Sequence, residues 1–190
     1  QTFGCTDPTA INYNPDANSN DGSCYHDVVT DIDGNEYQAV QIGVQLWMKE
    51  NLKVTHYNNG DEIPTGYSMS EWINLSSGAY AIYDDNPSNV EIYGNLYNGF
   101  TVYHGELNFE GLCPENFHIP NSSEWIILSN YLGGEEVAGG KMKSTGTIEG
   151  GDGIWNFPNE GATNESGFTG LPGGYRKSSN GGYYAIGESG

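Results

Sequence analysis

The alternation of apolar and polar positions predicts a β-hairpin within the first quarter of the chain. Val28–Thr30 and Glu36–Ile42 are typical of two strands joined by a turn that contains Asp33-Gly34. We expect Tyr37, Ala39 or Val40, and Ile42 to face inward. The following segment, residues 43–51, carries Trp47 and Met48 and predicts a further extended, turn-bounded apolar stretch.

A second pattern predicts a helix at Ser122–Tyr131. Asn121 is a favourable N-cap, and Glu124 lies three residues later, as in a capping box. Trp125, Leu128 and Leu132 recur on one face, and Gly133-Gly134 supplies the C-terminal stop. We expect that face to be buried.

The remaining segments predict short elements separated by turns and loops. Residues 70–73 indicate a short helix that ends by Gly78, and residues 93–98 and 100–103 are aromatic and strand-like. Gly139-Gly140 and residues 145–153 are predicted to be loops. The glycines between residues 167 and 176 indicate close backbone approaches and short strands.

Composition and charge then limit the partners of such a domain. The 190 residues include 25 Asp and Glu against 6 Lys and Arg, which gives a formal charge of -19. This charge repels nucleic acids and anionic membranes, and the sequence contains no apolar stretch long enough to insert into a membrane. Metal cations and neutral surfaces remain as expected partners, and 13% aromatic residues are enough to build a core.

The cysteines indicate an oxidising compartment. Cys5 and Cys24 bracket a segment of Asp, Asn, Pro and Gly with little to bury, and a disulfide closing this loop would stabilise it by roughly 3 kcal/mol. The chain starts at Gln1, as a mature protein does after removal of a signal peptide. We therefore expect an extracellular or cell-surface protein. Cys113 is left over, either as a small buried hydrophobic residue or as one half of an intermolecular bridge.

The same N-terminal segment carries a candidate calcium site. Its oxygen side chains alternate, which is the arrangement that a hard cation requires, while Gly22 lets the chain turn. The alternative is a series of Asx-turns without metal. The candidate ligands are Asp7, Asp16, Asn18, Asn20, Asp21 and Asp27.

Two further sets of polar residues are given simpler interpretations. Asp31, Asp33 and Asn35 also alternate, but a hairpin turn explains them without a metal. The histidines show no zinc-binding spacing, and we interpret His118 as structural. The four histidines are His26, His56, His104 and His118.

Residues 31–190 resemble the Fibrobacter succinogenes major paralogous domain, a secreted module of bacterial surface proteins. The matching pieces, in chain order, are Asp33-Gly34-Asn35, Ile42-Gly43, Trp47-Met48, Glu50-Asn51-Leu52, Gly78-Ala79-Tyr80, Tyr93-Gly94, Leu96-Tyr97-Asn98, Cys113-Pro114, His118-Ile119-Pro120, Glu124-Trp125, Leu132-Gly133-Gly134, Lys143-Ser144, Gly167-Phe168 and Leu171-Pro172-Gly173-Gly174-Tyr175-Arg176.

This resemblance implies an α+β, C-type lectin-like fold shared with formylglycine-generating enzymes: short helices, small twisted antiparallel sheets and long Gly-rich loops. Two departures matter. Ala81 stands where many relatives carry a cysteine, and a Trp-Ser-Ser-rich strand that relatives carry after the segment matching residues 183–190 is missing. We expect either that another chain completes the core or that the sequence is cut short.

Residues 4–24 separately resemble an acidic repeat similar to thrombospondin type 3 calcium repeats, through Gly4-Cys5-Thr6-Asp7-Pro8, the Asn- and Asp-rich stretch 12–18, and Asp21-Gly22-Ser23-Cys24. The expected organisation is therefore a disulfide-stapled acidic segment at residues 1–25, a junction at 26–30 and the larger domain at 31–190.

The resemblance to formylglycine-generating enzymes does not make an enzyme the expectation. Their chemistry needs a pair of reactive cysteines, whereas the larger domain offers only Cys113, without a neighbouring cation to lower its pKa. No nucleophile elbow, phosphate loop or catalytic triad spacing is present in the sequence either.

Two functions remain. The first is a structural subunit of an extracellular assembly, such as a filament, that self-associates and has an adhesive role, because an open strand edge invites strand addition. The second is a monomeric lectin-like adhesin that binds surface glycans through residues such as Tyr57-Asn58-Asn59 and Tyr183-Tyr184. The alternative for these tyrosines is packing within the small sheets. We favour the structural subunit.

Overall fold

The fold is a mixture of short helices and small sheets, seen in a computed structural model that describes residues 1–8, 10–24, 26–102 and 111–190. Tyr103 of the predicted strand and His104 lie outside the described residues. The strands are β1 Phe3–Gly4, β2 Ser19–Asn20, β3 Val28–Thr30, β4 Glu36–Ile42, β5 Gln45–Met48, β6 Tyr80–Ala81, β7 Leu96–Tyr97, β8 Gly173–Arg176 and β9 Tyr183–Ile186.

The α-helices are α1 Met69–Trp72, α2 Val90–Tyr93, α3 Gly99–Val102, α4 Ser122–Tyr131 and α5 Glu135–Met142, with 3-10 turns at Tyr83–Asp85 and Pro87–Asn89. Strands β3, β4 and β5 form one antiparallel sheet, and β6–β7 and β8–β9 are antiparallel pairs, whereas β1 and β2 pair in parallel. The α+β expectation with short helices and small antiparallel sheets is confirmed. Within the described residues, no helix has the length and apolar character that crossing a membrane requires.

The predicted hairpin is confirmed, and its second strand buries side chains on both of its faces. Tyr37 and Ile42 are both buried, although their odd separation places them on opposite faces of β4. The first half of β4 pairs with β3, and the second half pairs with β5. Ile42 therefore packs with Trp47 against the helices, while Tyr37 lies over the turn that precedes β4.

Helix α4 begins and ends at the predicted residues. The Asn121 side chain accepts hydrogen bonds from the backbone N–H groups of Ser123 and Glu124, and the Glu124 carboxylate accepts one from the Asn121 N–H. Leu128 and Leu132 lie in a core with Ile42, Trp47 and Ala138. Trp125 differs from expectation, since it stays partly exposed while its ring contacts that of Trp47 at a centroid distance of 4.8 Å.

Two predictions of local structure were wrong. Residues 100–102, predicted to be strand-like, belong to α3, because the Asn98 side chain accepts the N–H of Thr101 at 2.9 Å and starts a helical turn. Gly139 and Gly140, predicted to be a loop, lie inside α5. A Cβ atom at Gly140 would collide with the carbonyl of Gly161, so the glycine there permits close packing within a helix.

Two further hydrophobic clusters complete the interior. One contains Val54, Tyr57, Ile63 and Leu112, and the other contains Trp72, Ala79 and Ala81. Gly181 lets the β8–β9 hairpin approach the cluster of Trp72, Ala79 and Ala81. Its φ is +70°, and its contact with the backbone of Met69 leaves no room for a Cβ atom. The hairpin is therefore held directly against α1.

Candidate functional site

The register of β8 and β9 divides their side chains between two faces. Tyr175 pairs with Tyr184, and Arg176 pairs with Tyr183. Because successive side chains of a strand point to opposite faces, Tyr175 and Tyr184 lie on one face, and Arg176 and Tyr183 lie on the other. Lys177 extends the ladder by donating its N–H to the Gly182 carbonyl, and its ammonium group lies 5.8 Å from the centre of the Tyr184 ring.

The inner face is held by Arg176. Its guanidinium carbon lies 4.3 Å from the Trp72 ring centre and 4.9 Å from that of Tyr183. Its Nε donates to the Gly181 carbonyl at 3.0 Å, and its Nη2 donates to the Tyr67 carbonyl at 2.7 Å. Arg176 therefore fixes the hairpin to α1.

Tyr183 completes this inner contact. Its hydroxyl donates to the Asp85 carboxylate at 2.6 Å. Burial, together with this hydrogen bond, raises the pKa of Tyr183. The phenol stays protonated at neutral pH, and the inner face of the hairpin is a fixed structural contact.

The outer face presents what we call the tyrosine platform: Tyr175, Lys177 and Tyr184. The two rings are close to parallel, at 26° with centroids 5.9 Å apart, and they are 47% and 40% exposed. Asn180 donates to the Tyr184 hydroxyl at 2.8 Å and orients that ring. Exposed, oriented aromatic rings can stack on apolar faces of a ligand.

An open cleft of about 340 Å³ borders the platform. Its lining comprises Trp72, Tyr97, Asn98, Gly99, Tyr175, Arg176, Lys177 and Ser178. The Asn98 amide is occupied, since its oxygen accepts from Ala79 and Thr101 while its nitrogen donates to the Ser77 carbonyl. The exposed side chains that remain available for ligand contacts on this side are those of Tyr175, Lys177 and Ser178.

Sequence reasoning found only part of this site. It proposed Tyr57 and Tyr183 as sugar-facing, but Tyr57 lies in a core cluster outside the sheets, and Tyr183 packs on the inner face of the β8–β9 hairpin, as the alternative of sheet packing expects. Tyr184 is exposed as proposed. Sequence reasoning missed Tyr175 and Lys177. They lie two residues apart in a strand that pairs with Tyr183-Tyr184, and this spacing, which puts both side chains on one face, was the available signal.

The predicted disulfide is present. Cys5 and Cys24 are bonded, with their Cα atoms 4.7 Å apart, and the half-cystine at Cys5 is buried. Cys113 is a free, buried thiol, and burial raises its pKa to about 11. This placement favours the interpretation of Cys113 as a small buried hydrophobic residue over an intermolecular bridge.

The candidate calcium ligands are distributed along the N-terminal loop and the residues after it. Asn20 and Asp21 use side-chain oxygens to accept the N–H groups of Gly22 and Ser23, as in Asx-turns. The Asn18 oxygen accepts from Thr2, and Asp7 lies 3.4 Å from His26. Asp16 donates its N–H to Asn14, and the Asp27 carbonyl accepts from Ala39.

Among the residues that the structure describes, no three His, Cys, Asp or Glu side chains are grouped so as to hold a metal ion. The geometry therefore gives no support to a calcium site, and calcium binding stays a prediction from the sequence.

We expect calcium in roughly tenfold excess over its Kd to stabilise the protein by about 1.4 kcal/mol. This should raise the melting temperature by about 3–5 °C. Asp16→Asn should abolish the calcium-dependent shift in thermal melting, and Asp61→Asn, a matched change at an exposed acid outside the loop, should retain it. Equal melting with calcium and with chelator would rule out the site.

The second acidic set forms a turn, as interpreted. The Asp31 carboxylate accepts the N–H groups of Asp33 and Asn35 at 3.0 and 2.9 Å. Asp33 in turn accepts from Thr55 and contacts His56. Burial alone would raise the pKa of Asp33, but the hydrogen bonds from Thr55 and His56 lower it overall. His118 is paired with Glu124 at 2.7 Å and braces the start of α4, in agreement with a structural role.

Comparison with known families places this molecule in a class. The model of the Fibrobacter succinogenes major domain matches residues 40–190, which include the end of β4, all of β5, α4 and the β8–β9 hairpin. The chain therefore belongs to the Fibrobacter succinogenes major domain family, whose name implies a bacterial origin. No curated protein and no solved structure matches the chain.

Proposed function

We propose that this chain is a non-enzymatic, extracellular bacterial surface protein that acts as a structural subunit of a self-associating assembly with an adhesive role. The observation that carries the proposal is the outer side of α4. Its four large hydrophobic side chains are between 41% and 66% exposed, and they are Trp125, Ile126, Ile127 and Tyr131.

Such a surface is costly for a solitary protein. Single exposed apolar residues are common, but a continuous apolar patch marks an interaction site. A shallow groove between α4 and α5 continues the patch; Trp125, Ile126, Ala138 and Met142 form its apolar lining, and Ser129 and Glu135 lie at it as well. A large part of α4 is therefore available to an apolar partner.

We assign a second copy of the chain as that partner because of charge. Two chains of charge -19 repel each other over their general surfaces. Ile126 and Ile127 are apolar side chains, so contact across this face buries apolar area with few charges. The proposal also includes an extracellular location and calcium as a cofactor. The Cys5–Cys24 disulfide supports the location, because disulfides persist in oxidising compartments.

The absence of enzymatic activity is also part of the proposal. Cys113, a free thiol, is the candidate nucleophile. Its burial and its pKa of about 11 keep the thiol protonated at neutral pH. This supports a structural rather than a catalytic role.

Association should depend on the isoleucines of α4. We expect the double variant Ile126→Ser with Ile127→Ser to weaken self-association at least about 10-fold, because burying the exposed half of each isoleucine contributes roughly 0.8–1.5 kcal/mol. Analytical ultracentrifugation over micromolar concentrations measures this against the monomer mass of 20.6 kDa. Ile92→Ser, at an equally exposed isoleucine on α2, is the matched control and should associate like wild type. A wild-type protein that stays monomeric contradicts the proposal.

The tyrosine platform favours a second candidate function, a lectin-like module that binds surface glycans as a monomer. Exposed aromatic rings supply the apolar contacts that sugar rings use, with polar groups at their edge. The C-type lectin-like fold belongs to this candidate, supported by Pro120 and Glu124-Trp125 at the start of α4 and by the Gly-rich hairpin. Calorimetric binding of an oligosaccharide by the monomer would support it, and no heat with any oligosaccharide would contradict it.

A further inference from the structure

The cleft beside the tyrosine platform has an unusual charge for this protein. Acids outnumber Lys and Arg by 25 to 6 in the chain, yet the cleft lining contains Arg176 and Lys177 and no Asp or Glu. Arg176 is committed to Trp72, Tyr183 and two carbonyls. Lys177 is therefore the cation available to a ligand.

Lys177 also differs from Lys53 and Lys141. Lys53 and Lys141 lie 2.8 and 3.7 Å from the carboxylates of Glu91 and Glu165. In the described part of the chain, Lys177 has no such ion pair, and its ammonium group stays beside the exposed ring of Tyr184. A carboxylate arriving there would not have to displace an internal partner.

Asp85, an acid beside the hairpin, has a structural role. Asp85 accepts the Tyr183 hydroxyl on the inner face, whereas Lys177 lies on the outer face with Tyr175 and Tyr184. At physiological ionic strength, charges more than about 8 Å from a bound group are largely screened. The local cation, rather than the net charge of the protein, then decides whether an anion is accepted.

We propose that the tyrosine platform binds carboxylated oligosaccharides, with sugar rings against Tyr175 and Tyr184 and a uronate carboxylate on Lys177. This inference rests on the second candidate function and names its ligand class. The combination of two exposed rings and one unpaired cation on a single face favours a sugar acid, because the rings contact its C–H surface while the ammonium group pairs with its charge.

Isothermal titration of the full chain tests the inference with two matched probes, an oligogalacturonate and its methyl ester, which keeps the rings and removes the charge. We expect the acid to bind about tenfold more tightly than the ester. Lys177→Ala should abolish that preference, while Lys177→Arg should retain it. Lys49→Ala, which removes the same charge from the residue that follows β5, should also retain it. Tyr184→Ala should weaken both ligands.

Each remaining outcome overturns a defined part of the inference. Equal binding of acid and ester, or full preference in Lys177→Ala, refutes selection for the carboxylate and leaves glycan binding in place. Binding of neither probe at millimolar concentration refutes glycan binding itself. If an oligoglutamate peptide binds as tightly as oligogalacturonate, the proposed ligand class changes from a carbohydrate to an acidic peptide. Circular dichroism checks that each variant remains folded.

Discussion

Replacing Leu128 with alanine is expected to lower the free energy of unfolding by about 3–5 kcal/mol. The side chain is 0% exposed and packs with Ile42, Trp47, Leu132 and Ala138, so the substitution leaves a cavity that α4 and the β4–β5 pair must close. This cluster joins the N-terminal sheet to the two longest helices, and the loss should therefore appear as a shift of the whole transition. Urea denaturation measures it through the midpoint at constant slope.

The neighbouring residue supplies the control. Ile127 lies on the same helix and is half exposed, so Ile127→Ala should change the stability of the monomer by no more than about 0.5 kcal/mol. The pair of variants separates burial from helix propensity, since both introduce alanine into adjacent positions of α4. A cost below about 1 kcal/mol for Leu128→Ala would contradict the assignment of this core.

Local signals made α4 and the first hairpin predictable. Asn121, Glu124 and Gly133-Gly134 lie at or next to the ends of the helix they delimit, and Asp33-Gly34 lies within the turn it forms. The helical state of residues 100–102 was less accessible. It depends on how the Asn98 side chain is used, and an aromatic run without that contact is typical of a strand.

The candidate site depends on contacts that no local pattern specifies. Arg176 donates to the Tyr67 carbonyl, 109 positions earlier, and stacks on Trp72. The tyrosine platform exists only because Tyr175 stands opposite Tyr184 in the β8–β9 register. A shift of one residue would move Lys177 and Tyr175 to the inner face, so the sequence could indicate exposed tyrosines without showing which ones.

The acidic composition has a structural use as well. Asn20, Asp21 and Asp31 each accept backbone N–H groups two residues ahead, which stabilises turns that would otherwise leave those donors unpaired. Some of the aspartates therefore serve to stabilise the turns of a loop-rich protein. Asp31 is the extreme case, because it is buried.

Replacing Asp31 with alanine is expected to cost about 3 kcal/mol of stability. The residue is 6% exposed, and its carboxylate accepts four hydrogen bonds, from the N–H groups of Asp33 and Asn35, the Asn35 amide and the Tyr37 hydroxyl. Their removal leaves donors unpaired at a buried turn. Glu36→Ala, at an exposed acid of β4, should be close to neutral and controls for the lost charge in thermal and urea unfolding.

The link from Asp31 to Tyr37 extends this turn into the rest of the domain. The Tyr37 hydroxyl donates to Asp31 at 2.6 Å and accepts the N–H of Lys53 at 3.0 Å, and burial together with Asp31 raises the pKa of Tyr37. Tyr37→Phe should cost about 1–2 kcal/mol. In a double-mutant cycle, the Asp31→Ala and Tyr37→Phe costs should fall short of additivity by at least about 1 kcal/mol. Additive costs would show that this hydrogen bond does not stabilise the fold.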